Sequence, residues 1–116
     1  MGRRNACALA AKGGHLDVLR WAREHDCPWT VATCKAAAEG GHLDVLKWAR
    51  GQGCPWNEET CYAAARHGHL AVLRWAREHG CEWDGARVRD AAANAGQLPG
   101  RVGRVEVLRW LDEQGE

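Results

Sequence analysis

Cys34-Lys35-Ala36-Ala37-Ala38-Glu39-Gly40-Gly41-His42-Leu43-Asp44-Val45-Leu46-Lys47-Trp48-Ala49-Arg50-Gly51-Gln52-Gly53-Cys54-Pro55-Trp56-Asn57-Glu58-Glu59-Thr60 is one full period of a chain that repeats every 27 residues. The preceding stretch, Cys7–Thr33, matches it at 17 of 27 positions. Cys7, Cys34 and Cys61 share a phase in which Val88 comes next, and Cys27, Cys54 and Cys81 share another. Trp21, Trp48 and Trp75 hold a third phase, and Trp29, Trp56 and Trp83 a fourth. A fixed short period marks a stacked array in which no unit buries its apolar face alone. Arrays of this kind mostly hold partners.

Within the period, the residues spell two helices. Asn57 is a good N-cap before Glu58-Glu59-Thr60-Cys61-Tyr62-Ala63-Ala64-Ala65-Arg66, and Thr30 and Asp84 hold the same phase. Trp56 with Cys61, Trp29 with Cys34 and Trp83 with Val88 stand at the spacing of a hydrophobic staple. Gly14, Gly41 and Gly68 stop this first helix. The second begins at Gly-His-Leu and is apolar over more than half its circumference, as a helix packed on several neighbours requires. Gly53 and Gly80 follow it at C′. The expected fold is therefore all-α, one repeat domain over 1–116 with units at about 7–33, 34–60, 61–87 and 88–116.

Ala37-Ala38-Glu39-Gly40-Gly41-His42-Leu43-Asp44-Val45-Leu46 resembles the ankyrin-repeat stretch A-A-x-x-G-H-L-E-V-V. Trp48-Ala49 falls where that family has L-L, and Gly53-Cys54 where it has G-A. Two features depart from the family: Thr33-Cys34-Lys35 occupies the place of P-L-H, and the unit is 27 residues long where an ankyrin repeat has about 33. Short Trp- and Cys-bearing units of this kind are similar to arrays in giant viruses of amoebae and in some protists. The resemblance implies an ankyrin-like α-solenoid of stacked helix-turn-helix repeats with shortened inter-repeat loops. It also implies protein binding, and, for a viral member, a place in the host cytoplasm.

Composition narrows the remaining classes. The net charge of +1 leaves no electrostatic footprint for nucleic acid. No apolar run is long enough for a membrane span or a signal peptide, so an intracellular, cytoplasmic protein is expected. Cysteines of equal phase belong to neighbouring units spaced roughly 8–10 Å apart, too far for a disulfide. Reduced, apolar thiols follow, and a pairing across phases such as Cys27 with Cys34 stays open. No Cys or His spacing matches a zinc site, and near-identical Cys/His sets argue for packing over a single catalytic centre. No catalytic, cofactor or metal residues are assigned. His15, His42 and His69, at the start of each second helix, are expected to serve the turn or bond between repeats. The tryptophans are expected in the core.

The ends differ from the middle. By phase, the first unit lacks its tryptophan, since that position is Gly2, and Asn5 is left to cap late. Ala6, Leu9 and Ala10 would form an open apolar face suited to self-association. The last unit is a divergent cap, with an insertion near 97–102 that is expected to form a loop.

Scaffold positions repeat, so a partner surface is sought where units differ. The outward positions of the first helix, with the loop before it, give Lys35, Glu39, Glu58, Glu59, Tyr62, Arg66 and Arg89 as candidate partner-binding residues. Tyr and Arg are common interface anchors. The expected function is a non-catalytic protein-interaction scaffold without cofactor. Two other readings are a metal-binding or redox-responsive thiol protein, and a structural spacer or fragment of a larger adaptor.

Overall fold

A computed structural model describes residues 3–95 and 99–115 of the chain. Gly2, and Gln97 and Leu98 of the insertion, lie outside the described residues. The fold is all-α, with helices α1 (Arg3–Lys12), α2 (Leu16–Glu24), α3 (Val31–Gly40), α4 (Leu43–Gly51), α5 (Glu58–Arg66), α6 (Leu70–Glu78), α7 (Gly85–Ala93) and α8 (Arg101–Gln114). The odd-numbered helices form a row in which α1 meets α3, α3 meets α5 and α5 meets α7. Each even-numbered helix packs on the odd one before it, and contact along the even row is sparser. The result is repeat-like and elongated, 43 × 29 × 19 Å.

Local chemistry sets the helix ends. Thr30 Oγ1 accepts from the Ala32 amide at 3.1 Å, Asn57 Oδ1 from Glu59 at 3.0 Å and Asp84 Oδ1 from Ala86 at 2.9 Å. These are the capping bonds expected of those residues, satisfying amides that a helix start otherwise leaves open. Asn5, expected to stand at a late helix start, lies inside α1, which already runs from Arg3. The insertion is also not wholly a loop. Arg101 and Val102 belong to α8, which is 14 residues long where α2, α4 and α6 have 9.

Alanine brings the odd row together. Ala11, Ala37, Ala38, Ala64 and Ala65 are fully buried between helices, and their small side chains let backbones approach. At Gly40 the approach is closer still, because a Cβ there would collide with the Lys12 carbonyl oxygen of α1. The turn after the second helix asks for a left-handed residue. Gly53 and Gly80 supply it at φ 88° and 85°, but the first unit places Asp26 there at φ 61°.

Two substitutions probe these constraints. Gly40→Ala should destabilise by about 2 kcal/mol or more, since the obstacle is backbone and cannot swing aside. Asp26→Gly should stabilise by about 0.5–1 kcal/mol by relieving the left-handed strain. Urea unfolding followed by circular dichroism measures both, and opposite signs would refute the packing and turn assignments.

Candidate functional site

The most regular polar constellation is built on Arg23, Arg50 and Arg77, which share the 27-residue phase. Arg23 and Arg50 each donate from Nη1 to the carbonyl oxygen of the cysteine four residues on, Cys27 and Cys54, at 2.7 Å. The same guanidinium groups lie over the tryptophan of the following turn: Arg23 over Trp29 at 4.1 Å, Arg50 over Trp56 at 4.4 Å and Arg77 over Trp83 at 4.7 Å. Each of these rings meets a tryptophan of the next unit edge-on. Trp29 faces Trp48 at 5.8 Å, Trp56 faces Trp75 at 5.7 Å and Trp83 faces Trp110 at 5.9 Å. A cation over a ring contributes about 0.5–1 kcal/mol at a partly exposed site, and an edge-to-face pair about 0.5–1.5 kcal/mol. Sequence reading assigned these arginines no role, although their phase was the available signal. It also placed every tryptophan in the core, and Trp21 is 60% exposed. The phase of its missing partner is Gly2.

The cysteines meet within a unit. All six are buried. Cys34 bonds through its side chain to Cys54, and Cys61 to Cys81. Cys54 in turn donates to the Thr30 carbonyl at 3.6 Å and Cys81 to that of Asn57 at 3.4 Å. The thiols therefore tie the turn after the second helix to the cap of the first, and the pairing left open between Cys27 and Cys34 is not the one formed. The bond to Cys54, and then burial, push the Cys34 thiol far above its usual range, and Cys61 is raised the same way by Cys81. Burial, and then the bond to Cys27, push Cys7 up to about 12. Cys54 and Cys81, which accept from these partners, are lowered by them. Among the described residues, no group of three or more His, Cys, Asp or Glu side chains is arranged to hold a metal ion.

The histidines line the seam between units, one of the roles expected of them. His69 Nε2 bonds the Glu39 carbonyl of the preceding unit at 3.1 Å. The rings of His42 and His69 sit where a Cβ on Gly14 or Gly41 would be, so the glycine of one unit makes room for the histidine of the next. In the last unit Arg104 takes this post. It is 7% exposed, and Nη1 donates to Pro99 O at 2.7 Å and to Arg66 O at 3.4 Å, Arg66 being the phase equivalent of Glu39. The extra turn of α8 is what delivers it. His67 and His69 stack with ring centroids 6.4 Å apart. Desolvation lowers both below the ordinary 6.5.

The seven candidate partner residues do not form one surface. Tyr62 is the main correction: it is 5% exposed, its hydroxyl accepts from the Asp84 amide at 3.1 Å, and Arg87 covers its ring at 4.7 Å. A helical wheel places it outward, but the start of α7, the next helix of the odd row, covers it. Arg89 is half-buried and pairs with Asp112 of α8 at 2.7 Å. Lys35 and Glu39 are half-buried on α3. Glu59, Tyr62 and Arg66 come together in one open groove of about 330 Å³ beside α7, completed by Arg87, Asp90 and Asn94. Glu58 lies in a neighbouring depression with Glu82, Trp83 and Asp84.

No protein-family model matches the chain, and no curated protein matches it. Among the described residues, no helix is long and apolar enough to cross a membrane.

Two predictions follow from the thiols and the histidines. In the folded protein all six thiols should react with an aromatic disulfide reagent only at the rate of unfolding, and together once urea is added. Rapid labelling of one or two would establish a reactive site. The depressed histidines mean that the unfolded chain takes up protons that the folded chain refuses. Stability should therefore be level above the unfolded pKa of 6.5 and fall as the pH drops through and below it. His67→Gln should flatten that fall, as read from urea midpoints between pH 5 and about 8.

Proposed function

We propose that this chain is a non-catalytic, ankyrin-like repeat array that serves as a rigid structural spacer, meeting its neighbours at its ends. The observation that carries this reading is the distribution of exposed large apolar side chains. Among the described residues, Leu9, Val18 and Trp21 lie in the first two helices and Val102 and Val105 in the last, with one exposed large apolar side chain, Val31, between. The side surface offers less. Its tyrosine is buried and its Arg89 is engaged within the fold, so the residues best suited to anchor a partner there are already used. The repeated Cys, His and Trp sets support the same reading, because each serves the seam between or within units rather than a single centre.

A second reading keeps the side surface in play. The groove holding Glu59, Arg66, Arg87 and Asp90 alternates acidic and basic groups, and that alternation favours a partner segment of mixed charge. Under this scaffold reading, Glu59→Lys with Arg66→Glu abolishes the chain's interactions. Under the spacer reading they survive.

The spacer reading is tested by rigidity. Spin labels at Lys12→Cys and Glu113→Cys, on exposed positions at opposite ends, should give a single narrow distance by pulsed electron resonance, unchanged from dilute buffer to crowded solution. A broad or multi-peaked distribution would sink it, because a flexible array transmits no spacing.

A further inference from the structure

The cysteines form pairs, and a unit has both members or neither. The Cys7 thiol is hydrogen-bonded to Cys27, that of Cys34 to Cys54 and that of Cys61 to Cys81. Cys7 Sγ also lies 3.7 Å from the Cys27 carbonyl oxygen. Each pair joins the first helix of a unit (Cys7 in α1, Cys34 in α3, Cys61 in α5) to the turn that follows the second. The fourth unit has no cysteine. Val88 holds the phase of the first member, and Glu116, six residues after Trp110 as Cys27 is after Trp21, holds that of the second. Packing alone sets no such rule, since Val88 fills the same buried position without a sulfur.

The carbonyls that accept from these thiols have other donors. Thr30 O, which accepts from Cys54, also accepts from the Thr33 amide at 2.9 Å, and Asn57 O, which accepts from Cys81, also accepts from the Thr60 amide at 3.0 Å. Cys27 O, which accepts from Cys7, is held by Arg23 Nη1 at 2.7 Å. Removing the thiol protons therefore strands no buried carbonyl, the usual penalty for losing a buried donor. Hydrogen-bonded sulfurs need to approach by about 2 Å to reach the bonded separation. We propose that Cys7–Cys27, Cys34–Cys54 and Cys61–Cys81 are disulfide-forming sites that staple each unit when the chain meets a small-molecule disulfide such as oxidised glutathione. The thiols are buried, so the reaction begins when a unit opens. One thiolate attacks the small disulfide, forming a mixed disulfide and releasing one small thiol, and the partner thiolate then displaces the second. Two protein thiols are oxidised, one small disulfide is reduced to two thiols, and the two protons pass to them. Each link lies inside one unit and restricts its opened state, so oxidation stabilises the array without changing its period. The inference is independent of the spacer reading.

The test equilibrates the full chain in mixtures of oxidised and reduced glutathione, with and without denaturing urea, approached from both the reduced and the oxidised protein. Acid-quenched samples are mapped by mass spectrometry of unreduced peptides. In the folded chain the links should be Cys7–Cys27, Cys34–Cys54 and Cys61–Cys81, with helicity by circular dichroism retained. The equilibrium constant for closing each pair should be at least about tenfold larger in the folded chain than in the urea-unfolded one. The oxidised chain should accordingly unfold at a higher urea concentration than the reduced chain. Cys34→Val installs the residue that the fourth unit already carries at this phase. It should leave the other two links unchanged and Cys54 as a mixed disulfide with glutathione. A closing constant no larger in the folded chain than in the unfolded one overturns the inference, and this comparison needs no variant. Links between units, such as Cys27–Cys34, or pairing of Cys54 with another cysteine in the Cys34→Val variant, overturn it as well.

Discussion

An arginine laid over a tryptophan registers this array. The guanidinium of Arg50 holds the Cys54 carbonyl and the Trp56 ring at once, which fixes the turn. The ring then meets Trp75 edge-on, which fixes the next helix pair. Conformation decided inside one unit is thereby converted into the position of the next. No single contact of this kind exceeds about 2 kcal/mol, so the rung does not drive folding alone. Its effect is to hold the odd row at one separation, and the backbone at Gly40 tolerates only that separation. A quasi-one-dimensional array gains stability from nearest-neighbour terms, and here the terms are the rung on one side and the alanine seam on the other.

The groups that invite a chemical reading are drawn into the same task. A nucleophilic thiol needs a depressed pKa and access, and Cys34 and Cys61 have neither. Each donates to a second thiol that donates onward to the carbonyl of an N-cap residue. Such a chain orders polar groups inside an apolar seam without a charge. The histidines bridge the seam between units, and burial disfavours the charged form of His67 and His69. The interior is thus polar in places, and among the described residues its one buried charged side chain is Arg104, whose donors reach two carbonyls.

The period made helices, turns and caps legible, because capping and left-handed turns are decided by residues a few positions apart. Thr30, Asn57 and Asp84 act where their type and phase place them. What stayed hidden are contacts between units. Arg23, Arg50 and Arg77 repeat as faithfully as the cysteines, but an arginine at a fixed phase reads equally well as a solvated face. Tyr62 failed for the opposite reason. It varies between repeats, which suggested a partner surface, whereas Asp84 and Arg87, at the start of the next helix of the odd row, enclose it. A helical wheel marks the outside of a helix, and in a stacked row part of that outside belongs to the neighbour. The α8 extension was unreadable because the insertion interrupts the phase that carried every other inference.

The two ends depart from the repeat in different ways, and the difference bears on function. At the last unit the histidine post is filled by Arg104, Gly103 lies against the Gly68 backbone, and Arg89 joins Asp112. Gly103 keeps the glycine of its phase, while Arg104, Arg89 and Asp112 are changes of residue type, and together they tie the last helix down over its neighbours. At the first unit the seam residues keep their repeat identities: Leu16, Val18 and Trp21 match Leu43, Val45 and Trp48. Solenoid termini that face water carry polar outer faces, and a tryptophan 60% exposed beside a valine 49% exposed is not such a face. The first unit thus keeps the residues of an internal seam, whereas in the last unit Arg104 and the Arg89–Asp112 pair replace repeat residues with contacts that hold α8 in place.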